Sequence, residues 1–152
     1  MILALPSVAA HASAEPSRPG ACTSIDTILT KASSGLLMPS ESDYPFTAFT
    51  WTDAAKRTLT TARLLEFTAH APGTGVAVTD LHAFFRNVAY PQPWHDPQQA
   101  MNVRKFQRLV KVLERHLTDI RVYRVGTIRI DAYIVGRCGR NLAGLSTTLI
   151  ET

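Results

Sequence analysis

Apolar residues return every three or four positions at Ile25, Ile28, Leu29 and Ala32 until Gly35 breaks the rhythm. With Ser24 in front as an N-cap, that spacing predicts an amphipathic helix. The stretch 36–46, LLMPSESDYPF, loses the periodicity, carries two prolines and sets Glu41 and Asp43 among serines, which is loop chemistry. Residues 46–52 alternate around Phe49 and Trp51 and predict a strand. Leucines and Phe67 at helical spacing predict a helix over 60–69. Past Gly73 and Gly75, residues 76–78 form a short strand, and Thr79 or Asp80 caps a helix carrying Leu81, Phe84, Phe85 and Val88.

The prolines of Tyr90-Pro91-Gln92-Pro93-Trp94-His95 push their predecessors towards extended geometry, so this is a loop. Asp96 followed by Pro97 is a helix start, a capping carboxylate with proline in the first turn. That helix is expected to run to about Leu117 and to bury Met101, Phe106, Leu109, Val110, Leu113 and Leu117. Its opposite face is basic, with Arg104, Arg108, Lys111 and Arg115 at alternating four- and three-residue spacing. The last third is rich in Val, Ile, Tyr and Thr and predicts strands over 121–125, 127–135 and 142–150, the first two meeting at Gly126. In the middle one, Ile128, Ile130, Ala132 and Ile134 make an apolar face, and Arg129, Asp131 and Tyr133 a largely polar one. The expected class is α+β, a mainly antiparallel sheet covered by helices, forming one domain over 24–152 behind a leader and linker over 1–23.

Length and charge narrow the choices. The chain has 152 residues, 45% of them hydrophobic, enough to bury one core. No apolar run approaches the span of a bilayer, which excludes a membrane helix. The uncharged head MILALPSVAAHASA ends in Ala12-Ser13-Ala14, a small-x-small tripeptide of the kind signal peptidase cuts. Export to the periplasm or the exterior is therefore expected, with a cytoplasmic protein bearing a disordered leader as the alternative. Cys22 and Cys138 form one bridge in an oxidising compartment or stay free thiols in a reducing one. His11, His70, His82, His95 and His116 are scattered, so no metal site and no cofactor are expected.

Catalytic chemistry is not apparent, and the chain reads as a non-enzyme. Glu41 and Asp43, two residues apart in a loop, offer an acid and a base in principle, but solvated loop carboxylates and turn caps explain them better. His95 beside Asp96 looks like a dyad, yet Asp96 is better used as a helix cap. Gly136, Gly139 and Gly144 lack the strand, loop and helix order of a nucleotide-binding fingerprint. Trp94 is either a core plug or an exposed interface anchor. The basic helix face is either a solvated surface or a phosphate-binding stripe, and the net charge of +4 is compatible with both.

Taken in order, several segments resemble the nuclease A inhibitor family. They are Gly35-Leu36-Leu37-Met38 and Ser40-Glu41-Ser42-Asp43-Tyr44-Pro45-Phe46, then Phe84-Phe85, Pro91-Gln92 with Trp94, and Lys105-Phe106-Gln107. Val122-Tyr123-Arg124, Asp131 with Tyr133, Asn141-Leu142-Ala143-Gly144, Ser146-Thr147 and the terminal Glu151-Thr152 complete the set, which covers about 24–152. The resemblance implies an α/β/α sandwich that is monomeric when free and blocks a magnesium-dependent, sugar-non-specific endonuclease. It places the inhibitory contacts on Glu41, Gln92, Trp94 and the terminal Thr152. Thr152 would reach towards the hydrated metal of the target nuclease, Glu41 would pair with an active-site arginine, and Trp94 and Gln92 would anchor the complex.

One feature departs from that picture: a mimic of nucleic acid is expected to be acidic, and this chain is net basic. Either the Arg104 to Arg115 face points away from the nuclease, or the nuclease is acidic around its site, or the partner has changed. Two rival readings make different predictions. A basic nucleic-acid-binding module binds DNA or RNA alone with affinity that falls as salt rises. A secreted hydrolase using Glu41 and Asp43 turns over substrate with no nuclease present.

Overall fold

The computed structural model describes residues 22–152, so the leader and its processing lie outside the described residues. Helix α1 (Ile25–Ser33) forms where the first apolar rhythm predicted it, but the Ser24 side chain makes no capping bond. The chain enters this helix from Cys22, which is bridged to Cys138 with 5.7 Å between their Cα atoms. The stretch 36–46 is not all loop. It contains an antiparallel pair, β1 (Leu37–Met38) and β2 (Tyr44–Pro45), with Leu37 opposite Pro45 and Met38 opposite Tyr44. A two-residue ladder is too short to leave an alternating pattern, and a proline, having no N–H to donate, is tolerated at such an edge.

Strand β3 (Thr47–Trp51) leads through a 3₁₀ turn (Ala54–Lys56) to α2 (Thr61–Phe67), where the Thr60 hydroxyl accepts from the Arg63 N–H at 3.1 Å. After β4 (Val76–Thr79), Asp80 rather than Thr79 caps α3 (Leu81–Phe84), accepting from the Ala83 N–H at 2.8 Å. This helix ends at Phe84, short of Val88. Helix α4 (Pro97–His116) opens with a reciprocal cap: Gln99 N–H donates to Asp96 Oδ1 at 2.8 Å, and Asp96 N–H donates to Gln99 Oε1 at 2.8 Å. Its buried stripe is Val103, Phe106, Leu109, Val110 and Leu113. Met101, expected inside, is 43% exposed. At about 100° per residue it lies roughly 140° round the helix from Phe106, whereas Val103 lies within about 60° of it.

Strands β5 (Thr118–Val125), β6 (Arg129–Cys138) and β7 (Asn141–Ile150) complete a five-stranded sheet in the order β3-β7-β6-β5-β4, every pairing antiparallel. β5 begins earlier than its composition predicted because a register shift between Thr118 and Arg121 lets the pairing resume towards α4. Ile128 belongs to the turn before β6 and is 61% exposed, so it is not part of the apolar face. Ile130, Ala132 and Ile134 do form that face, packed with Leu29, Phe85, Phe106, Leu109 and Leu113.

The opposite face of the sheet is also covered, which the alternation in β6 did not anticipate. Val135 and Leu142 pack on Ala54 and Ala55, and Val125 packs on Leu64 and Leu65, with Trp51, Tyr123 and Tyr133 at the margins. Helical segments therefore sit on both faces of an antiparallel sheet, an α+β fold. Gly144 is a packing residue of this second face, since a side chain there would meet the Ile134 carbonyl oxygen and crowd the Phe49 ring opposite. Among the described residues no helix is long and apolar enough to cross a membrane.

Candidate functional site

The final residues of the chain are held from two sides. Beyond the last β7 pair, Glu151 N–H donates to the Ile128 carbonyl at 2.9 Å, and its carboxylate meets Arg124 Nη2 at 2.8 Å. From the other side the β1–β2 loop closes over β7. Ile150 N–H donates to Ser40 Oγ at 3.0 Å, that hydroxyl donates to the Ser42 carbonyl, and Glu41 N–H donates to the Ile150 carbonyl at 3.2 Å. The loop backbone is thereby fixed against the strand, and the Glu41 side chain meets the terminus.

There Glu41 takes Thr152 with both oxygens. Thr152 N–H donates to Oε2 at 2.7 Å and the Thr152 hydroxyl donates to Oε1 at 2.9 Å. Both residues are exposed. A carboxylate offers about four lone-pair sites, so two remain for an outside donor. The threonine hydroxyl has given its only proton to Glu41 and keeps its lone pairs for a cation or donor. Glu41 and Glu151 stand here with two arginines, Arg124 paired to Glu151 and Arg129 over the Tyr44 ring.

Gln92 and Trp94 lie in the loop before α4. Gln92 N–H donates to His95 Nδ1 at 3.2 Å, and His95 N–H donates to the Gln92 carbonyl at 3.1 Å, so the loop closes on itself. Trp94 is 74% exposed, its ring edge-on to His95 at 6.1 Å, which overturns the core-plug reading. The Gln92 loop and the Glu41 loop flank one cleft of about 420 Å³, with Leu37, Pro39 and Asp43 on one wall and Asn87, His95 and Gln99 on the other. Among the described residues, no hydrogen bond, ion pair or ring contact joins Gln92 or Trp94 to Glu41 or Thr152.

The catalytic alternatives take other places. Glu41 is engaged with Thr152 while Asp43 faces the cleft, and the Asp96 carboxylate is the helix cap rather than a partner of His95. A polar chain that the sequence did not reveal runs under α2. His70 Nδ1 is 2.7 Å from Thr68 Oγ1, His70 Nε2 is 2.9 Å from Asp131 Oδ2, and the Thr148 hydroxyl donates to Asp131 Oδ1 at 3.2 Å. The order resembles a hydroxyl, histidine and carboxylate relay, but Thr68 Oγ1 also lies 2.8 Å from the Leu64 carbonyl, where it finishes the helix. Its effect is to strap the end of α2 to β6 and β7. Only the pairing across the sheet reveals it, since His70 and Asp131 are 61 residues apart. Among the described residues no group of three or more His, Cys, Asp or Glu side chains is placed to hold a metal.

The phenols of Tyr133 and Tyr123 are both raised above the ordinary 10.0, each chiefly by burial, with Asp131 adding to the effect at Tyr133 and Arg121 opposing it at Tyr123. Because the folded state holds these protons more tightly than the unfolded chain, their contribution is complete below about pH 10 and is lost as pH rises through the higher folded values. The urea midpoint is expected to hold steady up to about pH 10 and to fall above it, together with the rise of tyrosinate absorbance. Tyr133→Phe should blunt that fall, and an unchanged alkaline profile would contradict it.

A family model described as nuclease A inhibitor-like protein matches residues 23–152, a range that takes in the Glu41 loop, the Trp94 loop and the terminal threonine. No curated protein matches the chain.

Proposed function

The chain belongs to the nuclease A inhibitor-like family, and from that premise we propose that it inhibits a magnesium-dependent, sugar-non-specific endonuclease by occupying its active site. The observation that carries this reading is the two-oxygen hold of Glu41 on Thr152 at an exposed edge of the molecule. A nuclease site is arranged to receive phosphate oxygens beside a divalent cation and basic side chains, and it accepts other oxygen ligands of similar charge. The hydroxyl and carboxylate of Thr152 supply such oxygens. Glu41 fixes where they stand and offers its remaining lone pairs to an arginine of the partner. Because the terminus is held before the partner arrives, less ordering entropy is lost on binding. The exposed Trp94 ring is the aromatic anchor of the contact, and the Gln92 side-chain amide is its orienting hydrogen-bonding group.

In this reading the protein works by association and carries out no chemistry of its own. Export is part of the proposal, and the Cys22–Cys138 bridge supports it, since disulfides persist in oxidising compartments.

The test is titration of a purified magnesium-dependent nuclease. Activity is expected to fall in proportion to added protein and to vanish near one equivalent. Glu41→Gln removes the charge and one of the two acceptors, and should raise the inhibition constant about tenfold or more. A Glu41→Gln protein that inhibits as tightly as the parent would sink the Glu41-held terminus as the working part. A parent protein that leaves such nucleases untouched would sink the target assignment.

A further inference from the structure

We propose that the outer face of α4 is a second binding surface, one that takes the phosphate backbone of duplex nucleic acid independently of sequence. Arg104, Arg108, Lys111 and Arg115 are all exposed. At about 100° per residue they fall within an arc of roughly 60° and extend over about 16 Å of helix axis. Across the groove between α1 and α4, Lys31 joins Lys105 and Arg108 around a cleft of about 330 Å³. Among the described residues none of these six side chains enters a hydrogen bond, an ion pair or a cation–π contact. Three other arginines are spent internally: Arg63 on the Arg57 and Thr58 carbonyls, Arg124 on Glu151, and Arg137 on the Ala55 carbonyl. The four stripe residues equal the whole formal excess of +4.

A rigid row of like charges matches a polymer whose own charges recur at a fixed interval. Over about 16 Å a duplex presents roughly ten phosphates. A lipid surface fits less well, because a membrane-binding helix must insert its apolar face. Here that face, Phe106, Leu109, Val110 and Leu113, is buried in the core. The surface shares no residue with the Glu41–Thr152 contact, so it would hold the protein on the polymer without engaging the terminus.

The experiment uses the full chain and a fluorescent random-sequence duplex of about 20 base pairs. The parent should bind more weakly as salt rises, losing about a hundredfold in affinity between 50 and 200 mM for roughly four phosphate contacts. Arg104→Gln, Arg108→Gln, Lys111→Gln and Arg115→Gln together should abolish binding. Glutamine keeps helix propensity, and an unchanged melting temperature checks the fold. Should the fourfold variant misfold, Arg108→Gln with Lys111→Gln should about halve the salt slope. Equal binding by parent and either folded variant overturns the proposal, as does a parent that ignores the duplex at low salt. Tighter binding to phosphatidylserine vesicles, or to polyglutamate at matched charge, overturns the assignment to nucleic acid.

Discussion

A short tag added after Thr152 is expected to weaken nuclease inhibition by about a hundredfold or more while leaving the melting temperature nearly unchanged. The two effects separate because of where the terminus lies. Thr152 follows the last paired residue of β7, is exposed, and contributes no side chain to the core. Its contacts are two exposed hydrogen bonds to Glu41, together worth about 1–2 kcal/mol at most to the fold. In the proposed complex the same atoms are central. A tag turns the terminal carboxylate into a neutral amide and forces added chain into a site shaped for phosphate. A loss of about 2.7 kcal/mol, normal for one central interface residue, corresponds to a hundredfold. Thr152→Val, which keeps the free carboxylate and removes the hydroxyl, should lose less than the tag does. Inhibition constants measured beside thermal melts provide the check, and a tagged protein that inhibits normally places the terminus outside the contact.

Opening the Cys22–Cys138 bridge should produce the largest change in stability. The bond joins residues 116 apart, so it closes a loop around nearly the whole described domain. By the chain-entropy account, a loop of this size is worth about 4–5 kcal/mol, a large part of the roughly 5–15 kcal/mol that stabilises an ordinary domain. Cys22→Ala with Cys138→Ala, or the parent in strong reductant, should lower the unfolding free energy from denaturant titration by that amount, and the two should agree. The loss should begin at α1, which the bridge ties to the end of β6, although Ile25 and Leu29 still hold that helix in the core. Identical melts for oxidised and reduced protein would show that the cross-link is idle.

Much of the architecture was readable because its causes are local. The Asp96-Pro97 start of α4 is a cap and a proline side by side, and the structure closes it with Gln99 three residues later. Ile130, Ala132 and Ile134 revealed one buried face through simple alternation. Glu41, Gln92, Trp94 and Thr152 were singled out by family resemblance, and the hold of Glu41 on Thr152 shows that two of them meet. Where periodicity is diluted, local pattern and structure part. Met101 lies off the buried stripe that the spacing predicts for it, and serines and prolines hide the β1–β2 pair.

By itself the sequence determined the helices, most of the strands, the buried stripe of α4, the basic row opposite it and the family. Tertiary structure alone decided that residues 111 apart touch at Glu41 and Thr152 and that His70 reaches Asp131. The reason is that periodicity reports on neighbours within a turn or a strand. Contacts between distant segments follow from which strands become neighbours in the sheet, an order that the pattern within a single strand does not encode.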